Sequence, residues 1–234
     1  MSAARDTFER EGWLFVPSLL DRPTVEALLR ATDAMELTGR DITHDEVRGG
    51  VVYEVQSQSG RKREAAVAPG VLRKITFPSK VNQTFKLLRT NPKILAALED
   101  AGLHAPKCHV DQLNFKPARV GTGFPFHQDA KFLVGKTQGR IERQGGMNLV
   151  IALDPADAEN GTFEVLGRTH RGPLTDFPYD MVSMNEGLFD ESHRVVCAMQ
   201  PGDAVLFHPH LAHGSGPNRS DRPRRLITLW YVGG

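Results

Sequence analysis

The feature that most constrains the fold is a series of short β-rich runs in the second half of the chain. After Ala105-Pro106, six runs of apolar and β-branched residues follow one another, with Gly and Pro between them. Because no helical periodicity intervenes, this spacing predicts an antiparallel sandwich or barrel. The runs are Cys108 to Phe115, Met147 to Leu153, Thr162 to Leu166, Val195 to Met199, Ala204 to Phe207 and Leu226 to Val232.

The N-terminal third has a different pattern, which favours helices. A short strand over Trp13 to Val16 precedes a helix with Asp21 as N-cap. Further helices are expected over Val81 to Arg89 and after Asn91, where a proline occupies the first helical position. Residues 40 to 70 are polar and glycine-bearing and are expected to form loops. We therefore expect one domain over residues 1–234, with a helical part (1–105) packed on a β core (106–234).

Composition excludes several classes of protein. The 29 Lys and Arg balance 28 Asp and Glu, which argues against a nucleic-acid partner. The longest apolar stretch, around Leu149 to Leu153, is too short for a membrane span. The first thirty residues are too charged for a signal peptide, and two cysteines are too few for a disulfide framework. These features predict a cytoplasmic protein, and the excess of Arg over Lys is typical of a GC-rich bacterial genome.

The tripeptide His-x-Asp occurs twice and makes metal chemistry the first hypothesis to test. In an extended chain its two polar side chains point to the same face, so either copy could bind one ion. His109 and Asp111 lie inside a predicted strand, which favours a structural role. His127 and Asp129 follow a glycine-rich loop that can bend closely into a site. We therefore expect the second copy to bind metal.

A third ligand has to come from another part of the chain. His208, His210 and His213 are the candidates, and His213 is preferred because Gly214 follows it and allows close approach. Two imidazoles and one carboxylate on one face of a metal are typical of non-haem iron oxygenases. The same ligands bind zinc or copper more tightly, so the ligand set leaves the metal undecided.

Longer motifs give a resemblance to a known family. Phe124-Pro-Phe-His-Gln-Asp129 and His213-Gly-Ser-Gly-Pro-Asn218 are followed by Arg224, eleven residues after His213. Together with Asp111-Gln-Leu-Asn-Phe-Lys-Pro117 and the opening Phe8-Glu-Arg-Glu-Gly-Trp13, they resemble the phytanoyl-CoA dioxygenase family. The resemblance runs from about residue 8 to residue 232. It implies a mainly β fold with N-terminal helices, a double-stranded β-helix of the jelly-roll or cupin type. It also implies Fe(II), with 2-oxoglutarate and O2 as co-substrates.

The resemblance also implies which residues bind the co-substrate. Ferrous iron, Asp129 and 2-oxoglutarate together carry one negative charge, which a guanidinium at Arg224 would neutralise through paired hydrogen bonds. Arg225 points to the other face of the strand and is expected in solvent. Ser215, Asn114, Gln112 and Lys74 match positions that contact the co-substrate in relatives.

The substrate is expected to be a small soluble metabolite, such as an intermediate of secondary metabolism. Phe124, Phe126, Lys131 and Trp230 are candidate substrate contacts, and residues 131–143 and 173–191 are candidates for a lid and pocket wall. Hydroxylation is the default reaction, while desaturation, epimerisation or cyclisation would use the same site.

Three other classes of protein are weighed against this one. Asp129 argues against a halogenase, which lacks the carboxylate ligand so that chloride can bind. A serine hydrolase using Ser215 lacks the Gly-x-Ser-x-Gly motif. A non-catalytic β-barrel binding or scaffold protein stays the alternative of another class.

Overall fold

A computed structural model of the chain describes residues 2–60, 64–132, 136–176 and 187–234. The helices are α1 (Ala3–Glu11), α2 (Arg22–Thr38), α3 (Gln83–Leu88), α4 (Pro92–Asp100) and α5 (Lys136–Gln144). The strands are β1 (Trp13–Val16), β2 (Glu46–Arg48), β3 (Val51–Val55), β4 (Leu72–Thr76), β5 (Lys107–Lys116), β6 (Phe124–His127), β7 (Gly146–Ala152), β8 (Glu164–Leu166), β9 (Arg194–Val196), β10 (Ala204–Phe207), β11 (His213–Ser215) and β12 (Arg224–Val232).

The strands form two antiparallel sheets. The large sheet has the order β1-β10-β7-β12-β5-β4-β3-β2, and the small sheet has the order β6-β11-β8-β9. The non-sequential order means that the chain crosses repeatedly from one sheet to the other, as in a jelly roll. The protein is therefore mainly β with helices, and it has the predicted double-stranded β-helix fold.

Alternation along the central strands divides the core into two layers. On β12, Ile227, Leu229 and Tyr231 pack with apolar residues of α2 and α4. Leu226 points the other way and packs with Val150 and other residues between the two sheets. One face of the large sheet thus carries the helices, and the opposite face looks toward the small sheet and the cavity described below.

Helix starts follow the predicted capping residues. The Asp21 side chain accepts from the backbone N–H of Thr24 at the start of α2, and the Asn91 side chain accepts at the start of α4. Such caps satisfy backbone donors that have no partner inside the helix. Among the described residues, no helix combines the length and apolar character needed to cross a membrane.

The N-terminal third is less helical than the sequence pattern indicates. Strands β2 and β3 occupy part of the segment expected to be loop, joined by Gly49 and Gly50, both with positive φ. Strand β4 pairs with β5, and β1 pairs with β10, so strands from before residue 105 extend the large sheet at both edges. The alternating buried side chains of Val51, Tyr53 and Val55 are the pattern that identifies β3.

Candidate metal and co-substrate site

The structure brings His127, Asp129 and His213 together between the two sheets. His127 ends β6 and lies directly opposite His213, the first residue of β11. Asp129 begins a short 3-10 turn two residues after His127. A Cβ at Gly214 would lie 2.9 Å from the carbonyl oxygen of Phe124, so glycine is needed for the two strands to approach this closely.

The three side chains converge on one point. Asp129 Oδ1 lies 3.4 Å from His127 Nε2 and 3.5 Å from His213 Nε2. All three potential ligand atoms lie within 4.8 Å of one another, and all three residues are buried. In the part of the chain that the structure describes, no other group of three His, Cys, Asp or Glu side chains is arranged in this way.

Backbone and side-chain partners fix the orientation of each potential ligand. His127 Nδ1 lies 2.8 Å from the carbonyl oxygen of Pro125, and His213 Nδ1 lies 2.9 Å from that of Leu211. Each imidazole therefore directs Nε2 inward. Asn148 Nδ2 donates to Asp129 Oδ2 at 2.6 Å, which leaves Oδ1 facing the two imidazoles. Partners of this kind set the tautomer and position of metal ligands.

The charge states of the cluster suit a cation. Burial lowers the pKa of the His127 imidazole, and the neighbouring His213 lowers that pKa further, so the neutral, metal-binding form is favoured. Burial alone would raise the pKa of Asp129, but interactions with His213 and His127 outweigh it and hold that pKa below its ordinary value. The cluster thus offers two imidazole nitrogens and one carboxylate.

The cluster opens into a cavity of about 270 Å³ between the sheets. Aromatic side chains form much of its wall, and polar and charged groups occupy its ends. Lining residues include Phe124, Phe132, Phe163, Phe207, Gln112, Asn114, Lys116, Arg73, Lys74, Ser215, Arg224, Thr228 and Trp230.

Arg224 is the most unusual group in this cavity. Its side chain is 3% exposed, and Nε is buried without a hydrogen-bond partner among the described residues. Burial lowers the pKa of Arg224 to about 9, so the guanidinium is still charged at neutral pH. Burying a charge without a partner costs roughly several kcal/mol of folding free energy. This position therefore fits an anionic ligand.

Two further residues lie beside Arg224. Lys116 is directly opposite it on β5, and Lys116 Nζ donates to Ser215 Oγ at 2.7 Å and to the carbonyl oxygen of Gly216. Burial, together with the charge of Arg224, lowers the pKa of Lys116 well below its usual range. Ser215 was identified from the sequence, whereas Lys116 was missed. The signal for Lys116 is its period-2 spacing with Gln112 and Asn114 on one strand face.

The remaining expected co-substrate contacts also line the cavity. Gln112 and Asn114 lie on the same face of β5, and Asn114 Nδ2 donates to Thr228 Oγ1 at 2.9 Å. Lys74 lines the cavity too, and its Nζ lies 2.8 Å from Glu54 Oε1. Lys74 is therefore in place but already bound to a carboxylate.

Two of the four candidate substrate contacts lie outside the cavity. Phe126 packs with Leu166 and Ala212 on the other side of β6, because neighbouring strand residues point to opposite faces. Lys131 pairs with Asp176 at 2.6 Å and does not line the cavity. Phe124 and Trp230 do line it. Phe132, which also lines the cavity, was not named individually but lies in the segment 131–143 proposed for the lid and pocket wall.

Other sequence predictions have mixed outcomes. Arg225 lies on the opposite face from Arg224 as expected, but its side chain is only 19% exposed and is bound to Asp154 and Asp33, so the prediction of a solvated residue is wrong. Within the candidate lid segments, residues 133–135 and 177–186 lie outside the described residues. Residues 136–143 of the first segment lie in helix α5, which ends at Gln144.

Comparison with known families gives a match over most of the chain. The profile described as "Phytanoyl-CoA dioxygenase (PhyH)" matches residues 8–226. The peroxisomal phytanoyl-CoA dioxygenase of Rattus norvegicus is 35% identical over 119 residues, 46% of this chain and 32% of the relative. That of Bos taurus is 25% identical over 241 residues, 97% of this chain and 67% of the relative. The matches therefore span from a third to two thirds of these relatives' length.

Solved structures share the fold. The alpha-ketoglutarate-dependent carbocyclase SnoK from nogalamycin biosynthesis superposes with a TM-score of 0.73 at 18% identity, covering 100% of this chain and 84% of its own. EctD from S. alaskensis, crystallised with 2-oxoglutarate and 5-hydroxyectoine, superposes with a TM-score of 0.76 at 21% identity, covering 100% of this chain and 76% of its own. At these identities the likeness establishes a common fold.

Proposed function

This chain belongs to the phytanoyl-CoA dioxygenase family, and from that premise we propose that it is an Fe(II)- and 2-oxoglutarate-dependent oxygenase that oxidises a C–H bond of a small molecule. The observation that carries the proposal is the buried Arg224 guanidinium, whose Nε has no hydrogen-bond partner among the described residues, in the same cavity as the His127, Asp129 and His213 cluster. A metal-binding scaffold would need the three ligands but would have no use for a buried cation beside them.

The residues that line the cavity fit both Fe(II) and 2-oxoglutarate. His127 Nε2, Asp129 Oδ1 and His213 Nε2 would hold the metal through one face, which leaves coordination positions for other ligands. Arg224 would bind the distal carboxylate of 2-oxoglutarate, and Ser215 and Asn114 line the cavity near it. Iron and 2-oxoglutarate, when bound, supply the oxidising power, with 2-oxoglutarate converted to succinate and CO2 in the presence of O2.

The protein's own contribution is orientation and the exclusion of water. Asn148 and the carbonyl oxygens of Pro125 and Leu211 keep the ligands aimed inward. Phe132, Phe163 and Phe207 give the cavity an apolar wall, which strengthens electrostatic interactions inside it. Arg224 is already desolvated before an anion arrives, so binding an anion relieves the unfavourable burial of its charge.

Trp230, toward the other end of β12 from Arg224, would contact the primary substrate. Arg224 and Trp230 lie on one face of β12, six residues apart, which corresponds to about 20 Å along a strand. Trp230 lies opposite Asn148, the residue that holds Asp129. Its Nε1 is buried without a hydrogen-bond partner among the described residues. Since an indole N–H is a donor only, Trp230 would bind an acceptor atom of the substrate.

The proposal extends to the domain organisation, the substrate class and the location of the enzyme. Residues 1–234 act as one catalytic domain, with the large sheet contributed by both halves of the chain. The substrate is a small metabolite, and hydroxylation is the default outcome. The enzyme is cytoplasmic and bacterial. The balanced charge of the chain suits a protein without a nucleic-acid or membrane partner. The carboxylate of Asp129 occupies the position that a halogenase leaves for chloride, which favours oxygenation over halogenation.

Succinate formation tests the proposal. The purified protein should convert 2-oxoglutarate to succinate only when Fe(II) and O2 are both present, and Zn(II) should bind without supporting turnover. Arg225→Lys, which changes the neighbouring arginine on the other strand face, should behave like the wild type. If 2-oxoglutarate and metal neither bind to the protein nor raise its melting temperature, the scaffold alternative holds instead.

A further inference from the structure

Strand β4 contains an irregularity that directs an arginine into the cavity. Leu72 pairs with Val55 and Lys74 pairs with Glu54, so β4 advances two residues where β3 advances one. Arg73 is the extra residue of this bulge. Bulges re-aim side chains and are common next to active sites. Leu72 remains in the helix-side core, whereas Arg73 and Lys74 both line the cavity.

The Arg73 side chain is held in a defined position. Arg73 is 7% exposed, and its guanidinium lies over the ring of Phe124, 5.6 Å from the ring centre. Arg73 Nη2 also donates to Glu54 Oε2. The other oxygen of the same carboxylate pairs with Lys74, so one carboxylate serves two cations. A planar guanidinium has five donors, which exceeds what one carboxylate oxygen and one ring can satisfy.

The charges around the cavity leave a positive excess. Four cationic side chains of the described residues line it, and the carboxylates close to them are Asp129 and Glu54. Glu164, near Lys116, is paired with Arg194, and Asp154, which interacts with Arg224, is paired with Arg225. Ferrous iron and 2-oxoglutarate would cancel each other's charge. At least one positive charge therefore stays uncompensated, even with Lys116 in its neutral form.

Arg73 and Arg224 lie on different strands and have different neighbours. Strand β5 lies between β4 and β12, so the backbones of the two arginines are separated by two strand spacings, about 10 Å. One carboxylate of 2-oxoglutarate would bind the metal and the other would bind Arg224. Arg73 contacts Phe124 and Glu54 instead of the Lys116 and Ser215 pair beside Arg224, which favours a different anion for it.

We propose that Arg73 binds an oxyanion of the primary substrate, a carboxylate or a phosphate monoester, and so determines that the enzyme accepts anionic substrates. This inference rests on the proposed function for the identity of the other ligands. The Phe124 ring, which contacts both Arg73 and His127, would place the remainder of the substrate between the anchoring cation and the metal cluster.

Matched probes test the inference. The protein is loaded with Zn(II) and the 2-oxoglutarate analogue N-oxalylglycine, so that the co-substrate position is filled. Binding of benzoate, hexanoate and phenyl phosphate is then compared by calorimetry with that of benzamide, hexanamide and phenol. We expect the charged member of a pair to bind at least ten times more tightly to the wild type, and Arg73→Gln to abolish that difference. Arg73→Lys should retain part of it.

Arg48→Gln is the matched control, because Arg48 also pairs with a glutamate, Glu46 on its own strand, but does not line the cavity. It should keep the full preference for charged probes. Arg73→Gln leaves Glu54 paired with Lys74, and its melting temperature without ligands shows whether it folds. In Arg73→Gln, stabilisation by 2-oxoglutarate and Zn(II) should equal that of the wild type.

Two results would overturn the inference. One is a wild type that binds charged and neutral probes equally well. The other is an Arg73→Gln variant that weakens 2-oxoglutarate binding as Arg224→Lys does, because Arg73 would then belong to the co-substrate site. Failure of the proposed function is a separate result: the wild type would show no stabilisation by 2-oxoglutarate and metal, whatever its preference among the probes.

Discussion

The two His-x-Asp tripeptides have the same residue types and spacing, but the fold treats their carboxylates differently. Asp111 accepts from the backbone N–H and the hydroxyl of Ser79 and from Arg89, at 2.8 to 3.0 Å. Asp129 has one oxygen bound to Asn148, while the other faces only the two imidazoles. Both residues are buried. The carboxylate suited to bind a metal is the one whose acceptor capacity the protein leaves open.

The same distinction separates two adjacent arginines. Arg225 donates to both oxygens of Asp154 and to Asp33. Arg224, on the opposite face, has a buried Nε without a partner among the described residues. Because an unsatisfied buried group is unfavourable, a fold that retains one at a cavity wall is arranged for a ligand. Equivalent substitutions at the two members of each pair test this comparison.

The largest difference is expected from Asp129→Asn and Asp111→Asn. Asp129→Asn loses a metal ligand and its charge, so turnover should disappear. Its affinity for Co(II) should fall by more than the ~10–100-fold that is typical when a residue hydrogen-bonded to a metal ligand is lost. Asp111→Asn should keep metal affinity and instead lower the free energy of unfolding by roughly 1–3 kcal/mol, because buried donors lose an acceptor. Cobalt titration and urea unfolding separate the two effects. Metal loss in Asp111→Asn alone would reverse the assignment.

The next effect concerns the groups that support each carboxylate. Asn148→Ala removes the donor to Asp129 and should weaken Co(II) binding by about 10–100-fold. Ser79→Ala removes a donor to Asp111 and should affect stability while leaving Co(II) binding as in the wild type. Calorimetric titration of both variants measures this. Equal losses of metal affinity would mean that Asn148 acts through stability rather than through Asp129.

A smaller effect is expected for the two arginines. Arg224→Lys keeps the charge but loses the paired hydrogen bonds, so the KM for 2-oxoglutarate should rise about tenfold or more, since a charge-assisted hydrogen bond contributes roughly 1.5–3 kcal/mol. Arg225→Lys should leave that KM unchanged. Succinate formation at varied 2-oxoglutarate concentration is the measurement. A larger effect from Arg225→Lys would move the role to the other strand face.

The smallest effect is expected at the two tryptophans. Trp230→Phe keeps an aromatic ring but removes the buried N–H, so the KM for the primary substrate should rise by a factor of about 3–10, the equivalent of one neutral hydrogen bond. Trp13→Phe changes the chain's other tryptophan, which does not line the cavity, and serves as control. If the two substitutions act alike on KM, Trp230 makes no hydrogen bond to the substrate.

The positions of several strands could be anticipated where runs of apolar residues are long. Ala204–Phe207 has the predicted bounds, and β5, β7 and β12 differ from prediction by two residues or fewer at their ends. Strands β6 and β11 were missed because they are short and contain proline or glycine. These two strands carry His127 and His213, so the least regular strands hold the candidate metal site. At Gly214 the two strands approach so closely that only glycine fits, although glycine has a low β propensity.

The sequence by itself determined the fold family and singled out His127, Asp129 and His213, because both depend on local spacing: alternation along strands, two-residue separation in His-x-Asp, and the glycine after His213. Only the tertiary structure decided which polar groups are satisfied. Ser79 lies 32 residues from Asp111, and Asn148 lies 19 residues from Asp129. Arg73 enters the cavity through a bulge set by pairing with another strand. Hydrogen-bond satisfaction depends on partners distant in sequence, and so it appears only once the chain is folded.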